Sequence, residues 1–126
     1  GEVPLYWALK ESLNAATVNL GMNVGLENVI EMAHRTGVAT KLPKLPSLTL
    51  GSLELAPMEV LQSYGTLANL GTKVPLSLLA RVETLAGKEL FRFDPTPEPV
   101  VAPDTVATLV GVMKQTVVSG TARGVR

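Results

Sequence analysis

Between Leu76 and Phe93 the hydrophobic period of this chain changes, and that change bounds what it can fold into. Leu76, Leu78, Ala80 and Val82 alternate with Ser77, Leu79, Arg81 and Glu83, the two-residue period of a strand. Ala86-Gly87 turns the chain, and Glu89 to Phe93 returns as a second strand. The other periodic segments read as helix. A lone two-stranded ribbon is not stable in water. The ribbon must therefore pack on helices, or join a sheet whose other strands this sequence lacks.

The helical segments are short and well punctuated. Pro4 suits a first helical turn, and Leu5, Ala8 and Leu9 follow at helical spacing. Ser12-Leu13-Asn14 interrupts them, because Ser and Asn compete for backbone hydrogen bonds and favour caps and turns. The pattern predicts a helix over 4–11, a break at 12–14 and a second helix to about residue 24. Gly21 and Gly25, four apart, leave room for another backbone to approach. A third helix over 26–36 has Leu26, Ile30 and Ala33 as its apolar face, Glu31 and Arg35 as an outer pair, and Gly37 as its stop. Residues 38–56, with Pro43, Pro46 and Gly51, read as a long irregular connection, of a length usually found in functional loops or in a larger body. Pro57 opens the clearest helix, with Met58, Leu61, Tyr64, Leu67 and Ala68 in period and Tyr64 assigned to the core. The Pro-rich stretch 94–99 is a linker without helix or central strand. A last helix over 104–118 ends at Ser119-Gly120. No internal repeat is present, and the fold class is mainly α with one β-hairpin.

Composition excludes several functions. The 126 residues suffice for one core, not two. The 11 basic and 11 acidic residues cancel, which argues against a nucleic-acid partner, whose footprint is a basic excess. There is no cysteine, so no disulfide, thiolate or Cys-ligated metal. The single histidine, His34, excludes a multi-histidine metal site and reads as a surface residue near a helix end. The longest uncharged stretch, Ser12 to Leu26, is broken by polar residues and falls short of the roughly 20 apolar residues of a membrane span. Charged residues are only 17% of the chain, against about a quarter in ordinary soluble domains. Mean hydropathy is +0.28. Such apolarity in a small chain points to a face that docks on something else, the plainer alternative being a tightly packed helical domain with an apolar core. Together with Gly1 in place of an initiator Met, it suggests an incomplete chain.

Few residues stand out for chemistry. Ser12 and Asn14 flank one apolar residue at a break between helices, so a hydroxyl able to relay a proton and a carboxamide able to grip a peptide group can both face a cleft. The plainer alternative is that Ser12 or Asn14 caps the second helix. Glu54 and Glu59 bracket Pro57, but Glu59 in a first helical turn is explained by the helix dipole. Ser119-Gly120-Thr121 offers small polar groups, with an ordinary C-cap as the simpler reading. No Gly-rich phosphate loop is present.

Four ordered blocks carry a resemblance. Lys10-Glu11-Ser12-Leu13-Asn14 with Thr17-Val18-Asn19-Leu20-Gly21 is the first. Pro46-Ser47-Leu48-Thr49-Leu50-Gly51, then Glu54, Pro57, Glu59, Tyr64, Ala68-Asn69 and Gly71, form the second. Arg81-Val82 with Gly87-Lys88, and Val118-Ser119-Gly120-Thr121-Ala122-Arg123, complete them. In this order they resemble the middle of the transpeptidase domain of class A penicillin-binding proteins, the bifunctional peptidoglycan synthases. The resemblance covers nearly the whole chain. It implies the helical portion of the α/β serine transpeptidase fold shared with β-lactamases. It also implies serine acyl transfer between peptidoglycan stem peptides, trapping of the acyl-enzyme by β-lactams, no metal or organic cofactor, and a place on the extracytoplasmic face of the cytoplasmic membrane. On this resemblance Ser12 is catalytic, relaying a proton toward the leaving amine, and Asn14 binds the substrate amide.

Two of the family's three catalytic elements are missing. No serine here is followed three residues later by lysine, so the acylated Ser-x-x-Lys nucleophile is absent. No lysine precedes Thr-Gly or Ser-Gly, and Val118 stands where such a lysine would precede Ser119-Gly120. The expectation is a partial transpeptidase domain over 1–126, inert alone and completed by the remainder of that domain. It would fold as a helical bundle with its hairpin at one side, or self-associate to cover a bare face. The competing readings are a non-catalytic helical interaction domain and, more weakly, a β-lactamase, against which Leu13 stands where that family typically has Asp.

Overall fold

The computed structural model describes residues 2–125. Five helices carry the fold: α1 (Leu5–Lys10), α2 (Asn14–Val24), α3 (Leu26–Thr36), α4 (Pro57–Ala68) and α5 (Pro103–Ser119). Short 3-10 turns cover Pro46–Leu50 and Arg123–Val125. The strands are β1 (Thr72–Lys73), β2 (Arg81–Glu83), β3 (Glu89–Arg92) and β4 (Glu98–Pro99). The expected helices are therefore all present, with ends within two residues of their sequence-based positions.

Proline and left-handed turns set the helix ends. Pro57 and Pro103 occupy first-turn positions of α4 and α5, where a missing N–H costs nothing. The end of α4 is a Schellman turn: Gly71 N–H donates to the Thr66 carbonyl at 2.8 Å and Leu70 N–H to the Leu67 carbonyl at 3.2 Å. Leu70 sits there at φ +49°, a conformation that disfavours a Cβ.

Packing runs from α1 against both α5 and α2, through α2 on α3 and the Pro46–Leu50 turn, to α3 on α4. Ala8, Val38, Leu42, Val100 and Val106 are the buried hydrophobics, with Val106 only 1% exposed. Thr66 is fully buried, and its hydroxyl lies 2.9 Å from the carbonyls of both Thr36 and Gln62, tying α4 to the end of α3. Gly21 is buried where the Thr49 side chain crosses α2, so the close approach comes from a side chain rather than a backbone. Gly25 has a different role: at φ +93° it joins α2 to α3. Tyr64, assigned to the core from its period, is 59% exposed. The α4 face that meets α3 and β1 runs through Gln62 and Thr66, so helical spacing alone does not mark the buried side.

Of the two placements expected for the ribbon, packing on helices is not the one seen. β2 and β3 pair antiparallel, but every residue of both strands is exposed and no helix covers them extensively. The hairpin is held from within. Across the turn Thr84 N–H donates to the Lys88 carbonyl at 2.8 Å and Lys88 N–H to Thr84 Oγ1 at 3.0 Å, and Phe93 N–H donates to the Ala80 carbonyl at 2.9 Å. The cross-strand pair Arg81 and Arg92 is like-charged, and each arginine is neutralised within its own strand, by Glu83 at 3.2 Å and Glu89 at 2.6 Å. Strand β2 starts only at Arg81, because the Ser77 hydroxyl closes a local turn on Leu79, donating to its carbonyl at 2.9 Å and accepting from its N–H at 3.1 Å. A second, two-residue pairing was not anticipated: β4, inside the Pro-rich stretch, pairs with β1, with Thr72 opposite Pro99. This two-stranded pairing has only edge strands, where proline is tolerated.

Candidate functional site

Ser12 and Asn14 stand at the corner where α1 ends and α2 begins. The corner is a second Schellman turn. Ser12 takes φ +54°, its N–H donates to the Leu9 carbonyl at 3.1 Å, and Leu13 N–H donates to the Ala8 carbonyl at 2.9 Å. Glycine is the residue that normally fills this left-handed position. A serine there carries strain and a hydroxyl that glycine lacks. Such strain, when kept, marks a candidate site. Asn14 is the first residue of α2. Both side chains are exposed, and neither makes a hydrogen bond to another of the described residues. The capping alternative does not hold: the N-cap of α2 is Leu13, without a side-chain cap bond. Thr17 Oγ1 donates to the Leu13 carbonyl at 3.0 Å instead, fixing the start of α2.

The rim of the corner is built by neighbours that spacing did not reveal. The Lys10 side chain is 12% exposed; its ammonium lies 3.2 Å from Glu11 Oε1 and 4.3 Å from the centre of the Trp7 ring. From the far end of the chain, Thr121 N–H donates to the Lys10 carbonyl at 3.3 Å, and Gly120 is buried against it. The Ser119-Gly120-Thr121 motif thus lies beside the Ser12 corner in space. Its sequence signal was visible as small polar residues after a helix, but its neighbour was not.

The other candidates fall elsewhere. Glu59 works as a structural clamp: its carboxylate accepts from Ala39 N–H at 2.7 Å, Thr40 N–H at 2.6 Å, Thr40 Oγ1 at 2.9 Å and Ala56 N–H at 3.0 Å. The Thr40 and Ala56 amides chiefly hold its pKa down to about 2. The helix dipole alone understated that role. His34 lies at the end of α3 with Nδ1 2.7 Å from the Val38 carbonyl. Among the described residues no cluster of His, Cys, Asp or Glu could hold a metal ion, and no helix is long and apolar enough to cross a membrane. An apolar groove of about 400 Å³ runs between α1, α2 and α5, lined by Leu5, Leu9, Leu20, Leu109 and Val112 among others. Ser12 and Asn14 do not line it.

Residues 1–126 match the family model of the penicillin binding protein transpeptidase domain. This chain belongs to that family. It is 42% identical over 124 residues to penicillin-binding protein 1B of Vibrio cholerae, covering 98% of this chain and 16% of the relative. It is 40% identical over 124 residues to penicillin-binding protein 1B of Escherichia coli, covering 98% of this chain and 15% of that protein. The chain therefore spans about a sixth of the length of the curated relatives it matches. Its fold is that of solved penicillin-binding proteins. A crystal structure of PBPA from Mycobacterium tuberculosis superposes with a TM-score of 0.79 at 20% identity, covering 90% of this chain and 31% of the other. An imipenem acyl-enzyme complex of penicillin-binding protein A from the same species gives 0.78, with the same coverage. Mainly helical structure with small antiparallel β elements is thus a recognised portion of the penicillin-binding protein fold.

Proposed function

We propose that residues 1–126 are a partial transpeptidase domain that supplies the Ser12–Asn14 corner to a peptidoglycan D,D-transpeptidase acting on the extracytoplasmic face of the cytoplasmic membrane. The observation that carries this reading is Ser12 held at φ +54° between two helices, its hydroxyl exposed and with no hydrogen bond to another described residue. Membership of the family adds the chemistry. A serine nucleophile attacks the acyl donor stem peptide, the leaving amine departs with a proton, and an amino group of a second stem then takes the acyl group. Ser12 Oγ, both donor and acceptor, suits the proton relay in the first half. The Asn14 carboxamide suits the peptide group of the donor, or the amide of a β-lactam. The nucleophile and the lysine strand are not among these 126 residues. On this reading the remainder of the domain supplies them and covers the apolar groove between α1, α2 and α5. Neither step needs a metal or organic cofactor.

The test is acylation of the full-length protein by a fluorescent penicillin. Ser12→Ala should lower the second-order acylation rate by roughly 100-fold or more, the scale of one positioned acid–base group. Asn14→Ala should weaken antibiotic binding before acylation. Unchanged acylation in both variants would sink the catalytic reading and leave a helical interaction domain.

A further inference from the structure

A helix end leaves four carbonyls without partners inside the helix. In α1 all four find one. The Trp7 carbonyl accepts from Glu11 N–H at 2.9 Å, the Leu9 carbonyl from Ser12 N–H at 3.1 Å and the Ala8 carbonyl from Leu13 N–H at 2.9 Å. The fourth, that of Lys10, accepts from Thr121 N–H at 3.3 Å. Three bonds are local and define the left-handed turn at Ser12. The fourth comes from the segment after α5. That segment is bent so that the Gly120 and Ala122 N–H groups share the Thr116 carbonyl, at 3.1 and 3.0 Å. Thr121 N–H is thereby left to reach across to α1.

Gly120 makes the approach possible. It is buried, and a Cβ there would lie 2.5 Å from the Lys10 carbonyl oxygen, 2.8 Å from Thr116 Cα and 2.9 Å from Lys10 Cγ. Its φ of −106° suits any residue, so the requirement is for space rather than backbone freedom. Two of the three obstructing atoms are backbone and cannot rotate away.

From this contact we infer that Gly120 and the Thr121 amide are positioning elements for the Ser12 hydroxyl. They clamp the last carbonyl of α1, two residues before Ser12, against the end of α5. The inference rests on the reading of Ser12 as the proton relay. A methyl at position 120 must widen the gap to Lys10 from 2.5 Å to ordinary contact near 3.4 Å. A displacement of about 1 Å at a reacting group costs roughly 100-fold in rate.

The experiment measures acylation of the full-length protein by a fluorescent penicillin, separating the fraction that reacts from the rate constant of the reacting fraction. Gly120→Ala should lower the rate constant by between about 10-fold and 100-fold. Replacing the Thr121 amide N–H by an ester oxygen should lower it in the same direction without adding bulk. On a Ser12→Ala background Gly120→Ala should have little further effect, because the group it positions is gone. If Gly120→Ala folds poorly, the ester variant carries the test. A loss confined to the reacting fraction, or full additivity with Ser12→Ala, would overturn the positioning role. If Ser12→Ala itself acylates normally, the relay reading fails instead.

Discussion

Replacing Ser12 by glycine should make the protein slightly more stable while removing the proposed relay. Ser12 is held at φ +54° by the bonds to Leu9 and Ala8. A left-handed backbone costs an L-residue about 1–2 kcal/mol. Glycine adopts it freely but is looser in the unfolded chain, which returns about 0.4–1 kcal/mol. The Ser12 side chain is exposed and bonded to none of the described residues, so little else is lost. The net expectation is a gain between about 0 and 1.5 kcal/mol. Ser12→Ala keeps the Cβ and therefore the strain, and should match wild type within about 0.5 kcal/mol. Urea unfolding of the full-length protein, followed through the transition of the transpeptidase domain, measures both. Acylation by a fluorescent penicillin should fall alike in the two variants, since both lose the hydroxyl. A loss of more than about 1 kcal/mol in Ser12→Gly would refute the strain argument. Normal acylation in Ser12→Gly would refute the hydroxyl's role.

Thr66→Val should destabilise the domain by about 1–3 kcal/mol, because it removes the buried hydroxyl shared by the Thr36 and Gln62 carbonyls; urea unfolding reads it, and a neutral result would refute the hydroxyl's contribution. Gly71→Ala should cost more than an ordinary surface change, since φ is +86° and the new methyl would meet the Val101 carbonyl; a lowered melting temperature checks it. Glu59 has a pKa near 2 when folded, against 4.5 unperturbed. Its clamp is therefore fully stabilising above about pH 4.5 and is lost as pH falls toward 2, where the unfolded chain takes up the proton first. Glu59→Gln should flatten the acid side of the stability profile over that window, and an unchanged profile would place the acid sensitivity elsewhere.

The elements were legible where local chemistry decides them. Pro57 and Pro103 start helices because their missing N–H falls where no partner exists. Gly37 stops α3 because it tolerates φ +129°. The Ser12–Asn14 break was legible because Ser and Asn favour turns over helix interiors. The Tyr64 error and the misplaced start of β2 share a cause. Period marks a possible face, but the neighbour decides which face is buried, and at Ser77 a side-chain hydroxyl outcompeted the ladder. Family membership was legible from ordered blocks, none of which is specific alone.

The resemblance to the family thus singled out Ser12 and Asn14, while residue types and spacing settled which segments are helical and excluded thiol and multi-histidine chemistry. They could do so because propensity, proline geometry and side-chain chemistry act over a few residues. Only the tertiary structure decided that the hairpin stands clear of the helices, that Glu59 clamps residues 39–40, and that Thr121 completes the end of α1. Each of those depends on groups far apart in the chain meeting at hydrogen-bond distance. The Lys10 carbonyl finds its donor 111 residues away because α5 packs on α1 and Gly120 carries no side chain to hold them apart.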